Sequence, residues 1–207
     1  MKKKFLTTFF ALLLTLELLS PSSVYSKQPR SIIHKVPHYY QNDPKWKDYL
    51  YGGSDPLGKY GCGPTTVSIV TSSLTKKKIT PPKMADWAYK NNYWAYRSGS
   101  LHSLIPDACK HFGLTVEKLY LLNQDSIREV LEMDKLIICL MGPGHFTERG
   151  HYIVIHGIYS DGTLAIFDPY SKTNTAKKWK VKTIIRELSS ATDHGSPMWI
   201  ISNPNSF

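Results

Sequence analysis

The sequence predicts one α+β domain, on three observations. Apolar residues at helical spacing fill the stretch after Cys62. Strand-like runs fill the C-terminal half from Lys135 onward. Ser160-Asp161-Gly162 joins two of those runs as a tight antiparallel hairpin. The 207 residues suit a single domain, or a domain with a processed end. The domain is expected over residues 31–203, with no internal repeat or low-complexity linker inside it.

The first 26 residues read as a secretory signal. Lys2, Lys3 and Lys4 give a basic start, Phe5 to Leu19 is an almost unbroken apolar run, and Val24-Tyr25-Ser26 supplies small residues at a cleavage point near Ser26. The run is short for a membrane span, and Glu17 sits inside it. The expected location is therefore extracellular. Next comes an irregular entry, with a short strand over Ile32 to Val36 and then a series of turn formers from Asn42 to Gly58. Val67, Val70 and Leu74 fall at helical spacing, and Pro64 suits the first turn of that helix. Lys83 to Asn91 and Leu101 to His111 read as two further helices, the second stopped by Gly113. Ser126 and Glu129 have capping-box spacing for a fourth. Lys135–Met141, Tyr152–Ile158, Thr163–Phe167 and Met198–Ile201 read as strands.

The formal net charge is +10, and removing residues 1–26, with three lysines and one glutamate, leaves +8. A basic exported protein suits work beside anionic cell-wall polymers. Nucleic acid fits poorly, because the lysines fall in scattered pairs and triplets without an aromatic platform. Three cysteines cannot all pair, so at least one thiol is free. Cys62 lies in Gly61-Cys62-Gly63-Pro64-Thr65-Thr66 at a loop-to-helix junction, where the helix dipole and unpaired N–H groups favour a thiolate. Its flanking glycines would let a substrate backbone come close. Cys109, inside a helix, and Cys139, inside an apolar strand, read as core residues. A disulfide between those two stays open.

A thiolate nucleophile needs a proton acceptor. Of eight histidines, His151 opens a strand after Gly150 and can face a cleft. His156 lies five residues on and points to the opposite face of a regular strand. His145 sits in a loop that could rim the cleft. Asp168 ends the next strand, and the hairpin would bring its region roughly opposite that of His151, as an orienting carboxylate, although Asp168-Pro169 also reads as a turn former. Donors for an oxyanion are the Cys62 N–H and the Gln41 side chain, the latter no better than an ordinary loop glutamine on spacing alone. The histidine spacings make no usual zinc set, and no metal or cofactor is expected.

These residues resemble the C39-like cysteine peptidases of bacteria and phages, a branch of the papain-like group. The resemblance covers roughly residues 34–170: Val36-Pro37-His38-Tyr39-Tyr40-Gln41, Trp46, Gly61 to Thr65, Gly150 to Val154, and Asp168-Pro169. It implies a papain-like fold, Cys62 as nucleophile, His151 as base, Asp168 as third triad member and Gln41 as oxyanion residue. It also implies a peptide or protein substrate, which the sequence does not narrow further: peptidoglycan stem peptides, host proteins and secreted peptides all stay open. The chain is expected to work as a monomer. In transporter-linked relatives that cut double-glycine leaders, Gln lies only a few residues before Cys; here the two are far apart, which argues against leader processing. Two other classes remain: an acyl transferase on the same triad, and a surface binding module in which the triad is vestigial.

Overall fold

The computed structural model describes residues 29–120, 123–190 and 197–206. The expected secretion signal lies outside them. In chain order the elements are β1 (Ile32–Ile33), β2 (Leu50–Tyr51), β3 (Asp55–Pro56), α1 (Leu57–Tyr60), α2 (Cys62–Thr75), α3 (Pro81–Lys90), β4 (Trp94–Ala95), β5 (Gly99–Ser100), α4 (Leu104–His111), β6 (Thr115–Lys118), α5 (Gln124–Glu132), β7 (Leu136–Met141), β8 (His151–Ile158), β9 (Leu164–Phe167), α6 (Lys172–Ala176), β10 (Lys178–Trp179), α7 (Val181–Arg186) and β11 (Met198–Ser202). The fold is α+β, as the sequence predicts.

The main sheet runs β10-β9-β8-β7-β11-β6, with β1 added against β8, and every pairing in it is antiparallel. All six residues of β7 are buried. A strand apolar on both sides needs cover on both faces of its sheet. One face packs Leu136, Ile138, Leu140, Tyr152 and Val154 against α2, α3 and α4. The other packs Ile137, Cys139, Met141, Ile153 and Ile155 against Ile127 and Leu131 of α5 and Ile184 of α7. Cys109 belongs to the first core and Cys139 to the second. The sheet stands between them and both are free thiols, so the disulfide left open above does not form.

Several boundaries shift for physical reasons. The strand expected over 32–36 is only Ile32–Ile33: His34 N–H still donates to His156 O at 2.9 Å, but the β8 ladder is interrupted there by the bulge at His156. The second helix starts at Pro81, since two prolines at its first positions lack N–H groups that would be unpaired there anyway. Pro106 falls in the first turn of α4, which starts at Leu104, so it breaks nothing. The capping box of α5 is Asn123 with Ser126: the Asn123 side chain accepts from the Ser126 N–H at 2.9 Å, and Ser126 Oγ accepts from the Asn123 N–H. Ser126 is thus the third helical residue, and the cap lies three residues earlier than its pairing with Glu129 predicts.

Candidate active site

Cys62 is the first residue of α2, and Gly61 is its N-cap. The N–H groups of a helix's first turn have no intrahelical acceptor, and Pro64 has none to offer. α2 is buried on nearly every side, including Thr65, Thr66, Ser68 and Thr71, and its early part lies against β8. That packing fixes the Cys62 thiol beside the start of β8, where His151 pairs with Met141 of β7. The flanking glycines serve the packing. A Cβ on Gly61 would stand 2.5 Å from the Leu57 carbonyl oxygen, the atom that accepts the Gly61 N–H at 2.9 Å. A Cβ on Gly63 would meet Ser100 Oγ at 2.9 Å and Leu104 at 3.2 Å. Both glycines therefore make room for neighbouring segments of the protein itself.

A β-bulge brings His151 and Asp168 together. Ile158 pairs with Leu164 and Gly157 with Ala165, but Ile155 then pairs with Ile166 and Val154 with Phe167. His156 is the extra residue. Without it the ladder would carry Asp168 level with Val154. With it, Asp168 comes level with Ile153, which shares a strand face with His151. The turn at Ser160-Asp161-Gly162 is as expected, with Gly162 at φ 79° and Asp161 Oδ1 accepting from Thr163 N–H at 3.0 Å. The rough pairing expected of the His151 and Asp168 regions is met with an offset of two residues along β8, which the ring spans.

His151 Nε2 stands 2.8 Å from Asp168 Oδ1, and both residues are buried. The other ring nitrogen, Nδ1, is left for the Cys62 thiol, whose interaction with the ring draws the thiol pKa down. Asp168 is held from four sides. Its Oδ1 also accepts from the N–H groups of Tyr170 at 2.8 Å and Ser171 at 3.1 Å, Oδ2 accepts from Asn174 Nδ2 at 2.9 Å, and its own N–H donates to Thr175 Oγ1 at 3.0 Å. The turn-former reading and the orienting-carboxylate reading of Asp168 are both true of one side chain. Asn174 of α6 was not legible in the sequence, since it reaches the carboxylate across a turn that no spacing rule encodes.

Charge is distributed as a relay. Burial pushes the Cys62 thiol up, but hydrogen bonds and charge from His151, with the Tyr152 and Gly63 N–H groups, bring it below the ordinary thiol value. Burial pushes His151 down, and the bonds to Asp168 and Cys62 outweigh it, raising it to about 9. Burial pushes Asp168 up, and His151, Asn174 and the Tyr170 N–H hold it below the carboxylate range. Burial alone acts on Cys109, pushed up to about 12, and on Cys139, pushed up further. Those two thiols stay protonated.

Gln41 is buried, and its N–H donates to Pro169 O at 2.8 Å. Its side-chain Nε2 donates to the carbonyls of Leu57 at 3.4 Å and Gly58 at 3.2 Å, and its Oε1 finds no partner among the described residues. Gln41 thus bridges the chain after Asp168 to the turn before Cys62. His145 stays outside the relay. Its ring is held at 2.7 Å by the buried Glu187 carboxylate, which also accepts the His145 N–H at 2.8 Å. His156 Nδ1 stands 2.8 Å from the His34 carbonyl oxygen, away from the thiol. Among the described residues no cluster of His, Cys, Asp or Glu could hold a metal ion.

A family model described as the Peptidase_C39 like family matches residues 33–192. The chain belongs to that family. The resemblance read from the motifs is borne out, and the helix-borne Cys62 facing a sheet-borne His151 and Asp168 is the papain-like arrangement it implies. Among solved structures, the peptidase domain of Streptococcus ComA, a bi-functional ABC transporter involved in a quorum-sensing pathway, is 16% identical, with a TM-score of 0.47, covering 69% of this chain and 91% of that one. No curated protein matches.

Proposed function

We propose that this C39-like chain is a secreted cysteine peptidase in which Cys62, His151 and Asp168 hydrolyse peptide bonds. The observation that carries the reading is the relay itself: a partly exposed thiol at a helix start, drawn below the thiol range by a histidine that a buried, four-bonded aspartate orients. The Cys62 thiolate attacks the scissile carbonyl carbon, and the carbonyl π electrons move to oxygen. As the tetrahedral adduct collapses, the C–N bond breaks and His151 gives its proton to the leaving amine. Water then attacks the thioester, with His151 taking one of its protons, and the acid product leaves as the thiolate reforms. Asp168 stays ionised throughout and holds the imidazole in one orientation.

The oxyanion would be met by the Cys62 N–H and by Gln41. Leu57 O and Gly58 O are neighbours on one turn, so they can share one Gln41 amide proton and leave the second for the cleft. The substrate is a peptide or protein, cell-wall peptides included, and the basic surface suits an extracellular setting beside anionic polymers. The test is turnover of a peptide library by the wild type against Cys62→Ala and His151→Ala, with product mass. Hydrolysis lost in both variants supports the reading. Undiminished hydrolysis in Cys62→Ala would falsify it.

A further inference from the structure

We infer that the cleft selects peptides carrying Asp or Glu side chains beside the scissile bond. This deepens the peptidase reading and rests on the cleft at Cys62 being the substrate site. The cleft has a volume of about 630 Å³ and opens above the thiol. One wall is made by α1 and the β4–β5 turn, and carries Lys59 and Arg97. The other is the loop from β7 to β8, and carries Glu148 and Arg149. Three permanent cations therefore face one carboxylate. Lys59, Arg97 and Arg149 are exposed, and among the described residues none of them forms an ion pair with Asp or Glu. Lys59 and Arg97 lie against tyrosine rings, 5.2 Å from the centroids of Tyr60 and Tyr96, which leaves their charge unneutralised.

Arg97 is held in its place. Its φ is 53°, a left-handed conformation uncommon for a side chain of this size. The buried Asp55 carboxylate accepts the Arg97 N–H at 2.7 Å and Trp94 Nε1 at 3.0 Å, fixing the turn from beneath. The nearby anion is thus spent on backbone and indole, and the guanidinium is left to the cleft. A chain of net charge +10 carries cations on many surfaces. Here they occupy both walls of one concave site, and a cleft walled by low-dielectric protein concentrates the field of like charges. A carboxylate on a bound peptide would meet that field on either side of the bond to be cut.

Two probes read the field by independent routes. The first is the alkylation rate of Cys62 with anionic iodoacetate against neutral iodoacetamide, each relative to free cysteine. The normalised ratio should exceed unity by roughly tenfold at low salt, and should fall in R97Q/R149Q and with added salt. The second uses Cys62→Ala, which cannot turn over, and measures anisotropy of a labelled Glu-flanked peptide and its Gln counterpart. The Glu peptide should bind roughly tenfold tighter, with the difference lost on adding R97Q/R149Q. Circular dichroism confirms that the variants are folded. Slow labelling of Cys62 by both reagents tells against the nucleophile assignment and leaves the peptide arm to decide the charge preference. Equal binding of the two peptides, or a ratio that R97Q/R149Q does not move, overturns the inference while leaving the peptidase reading intact.

Discussion

At residue scale the site is a chain of compensations against burial. Each of Cys62, His151 and Asp168 would be neutral if desolvation acted alone, and each is turned by the charge of the next. The consequence is a pH signature. The thiolate–imidazolium pair forms below the ordinary thiol range and survives until His151 loses its proton near pH 9. Hydrolysis should therefore hold through neutral pH and fall above about 9, while iodoacetamide labelling of Cys62 should already be fast at pH values below the ordinary thiol range. A single rise at an unperturbed thiol pKa would sink the ion pair, and equally fast labelling of Cys109 or Cys139 would sink the assignment. Asn174 offers a second reading of the same chain. It donates to the Asp168 oxygen that His151 does not use. Asn174→Ala should lower kcat by roughly tenfold with KM little changed, a loss in proportion to one hydrogen bond to a buried charge. Asp168→Ala should cost more, roughly tenfold to ten-thousandfold, and His151→Ala more again. The double variant H151A/D168A should be no slower than H151A, because the carboxylate acts only through the ring. The cysteine, histidine and aspartate were legible because their chemistry needs a helix start and two adjoining strands, which leave marks in sequence. Asn174 was not, and neither was the use to which Gln41 puts its amide.

At the scale of elements the decisive feature is the one-residue bulge at His156. The hairpin was visible as an Asp-Gly turn between two apolar runs, and its strands were placed to within a residue or two. The bulge was invisible, since an inserted residue changes no periodicity that a short strand displays. Yet it sets on which face of the sheet Asp168 lands. Deleting His156 should thus abolish turnover while leaving far-ultraviolet dichroism near native, because Asp168 would come level with Val154 instead of Ile153. Replacing it by alanine keeps the residue count and should keep turnover of the same order. Equal losses in the two variants would show that the imidazole, not the register, matters at this position. The short elements after Asp168, α6, β10 and α7, also escaped the sequence. They are lysine-rich and too brief to show an apolar stripe, and their positions are set by Trp179 and Ile184 entering the second core.

At the scale of the molecule the two buried cysteines report on whether the layers stand or fall together. Cys109 lies among the helices α2 to α4, and Cys139 on the far side of the sheet with α5 and α7. β7 serves both cores by alternation: Leu136, Ile138 and Leu140 face one, and Ile137, Cys139 and Met141 face the other. Burying each such side chain contributes about 1.5–3 kcal/mol, so opening either layer strips β7 of half its support. The expected outcome is one cooperative unit. In a denaturant series with a thiol reagent, Cys109 and Cys139 should become reactive at the same midpoint, while Cys62 reacts without denaturant. Ile138→Ala, which removes apolar bulk only from the helical side, should destabilise by about 2–5 kcal/mol. Because the strand is shared, it should move both midpoints together. If Cys109 alone became reactive earlier, the helical layer would be opening by itself, and the thiolate of Cys62, carried on that layer, would be lost before the sheet that holds His151 and Asp168.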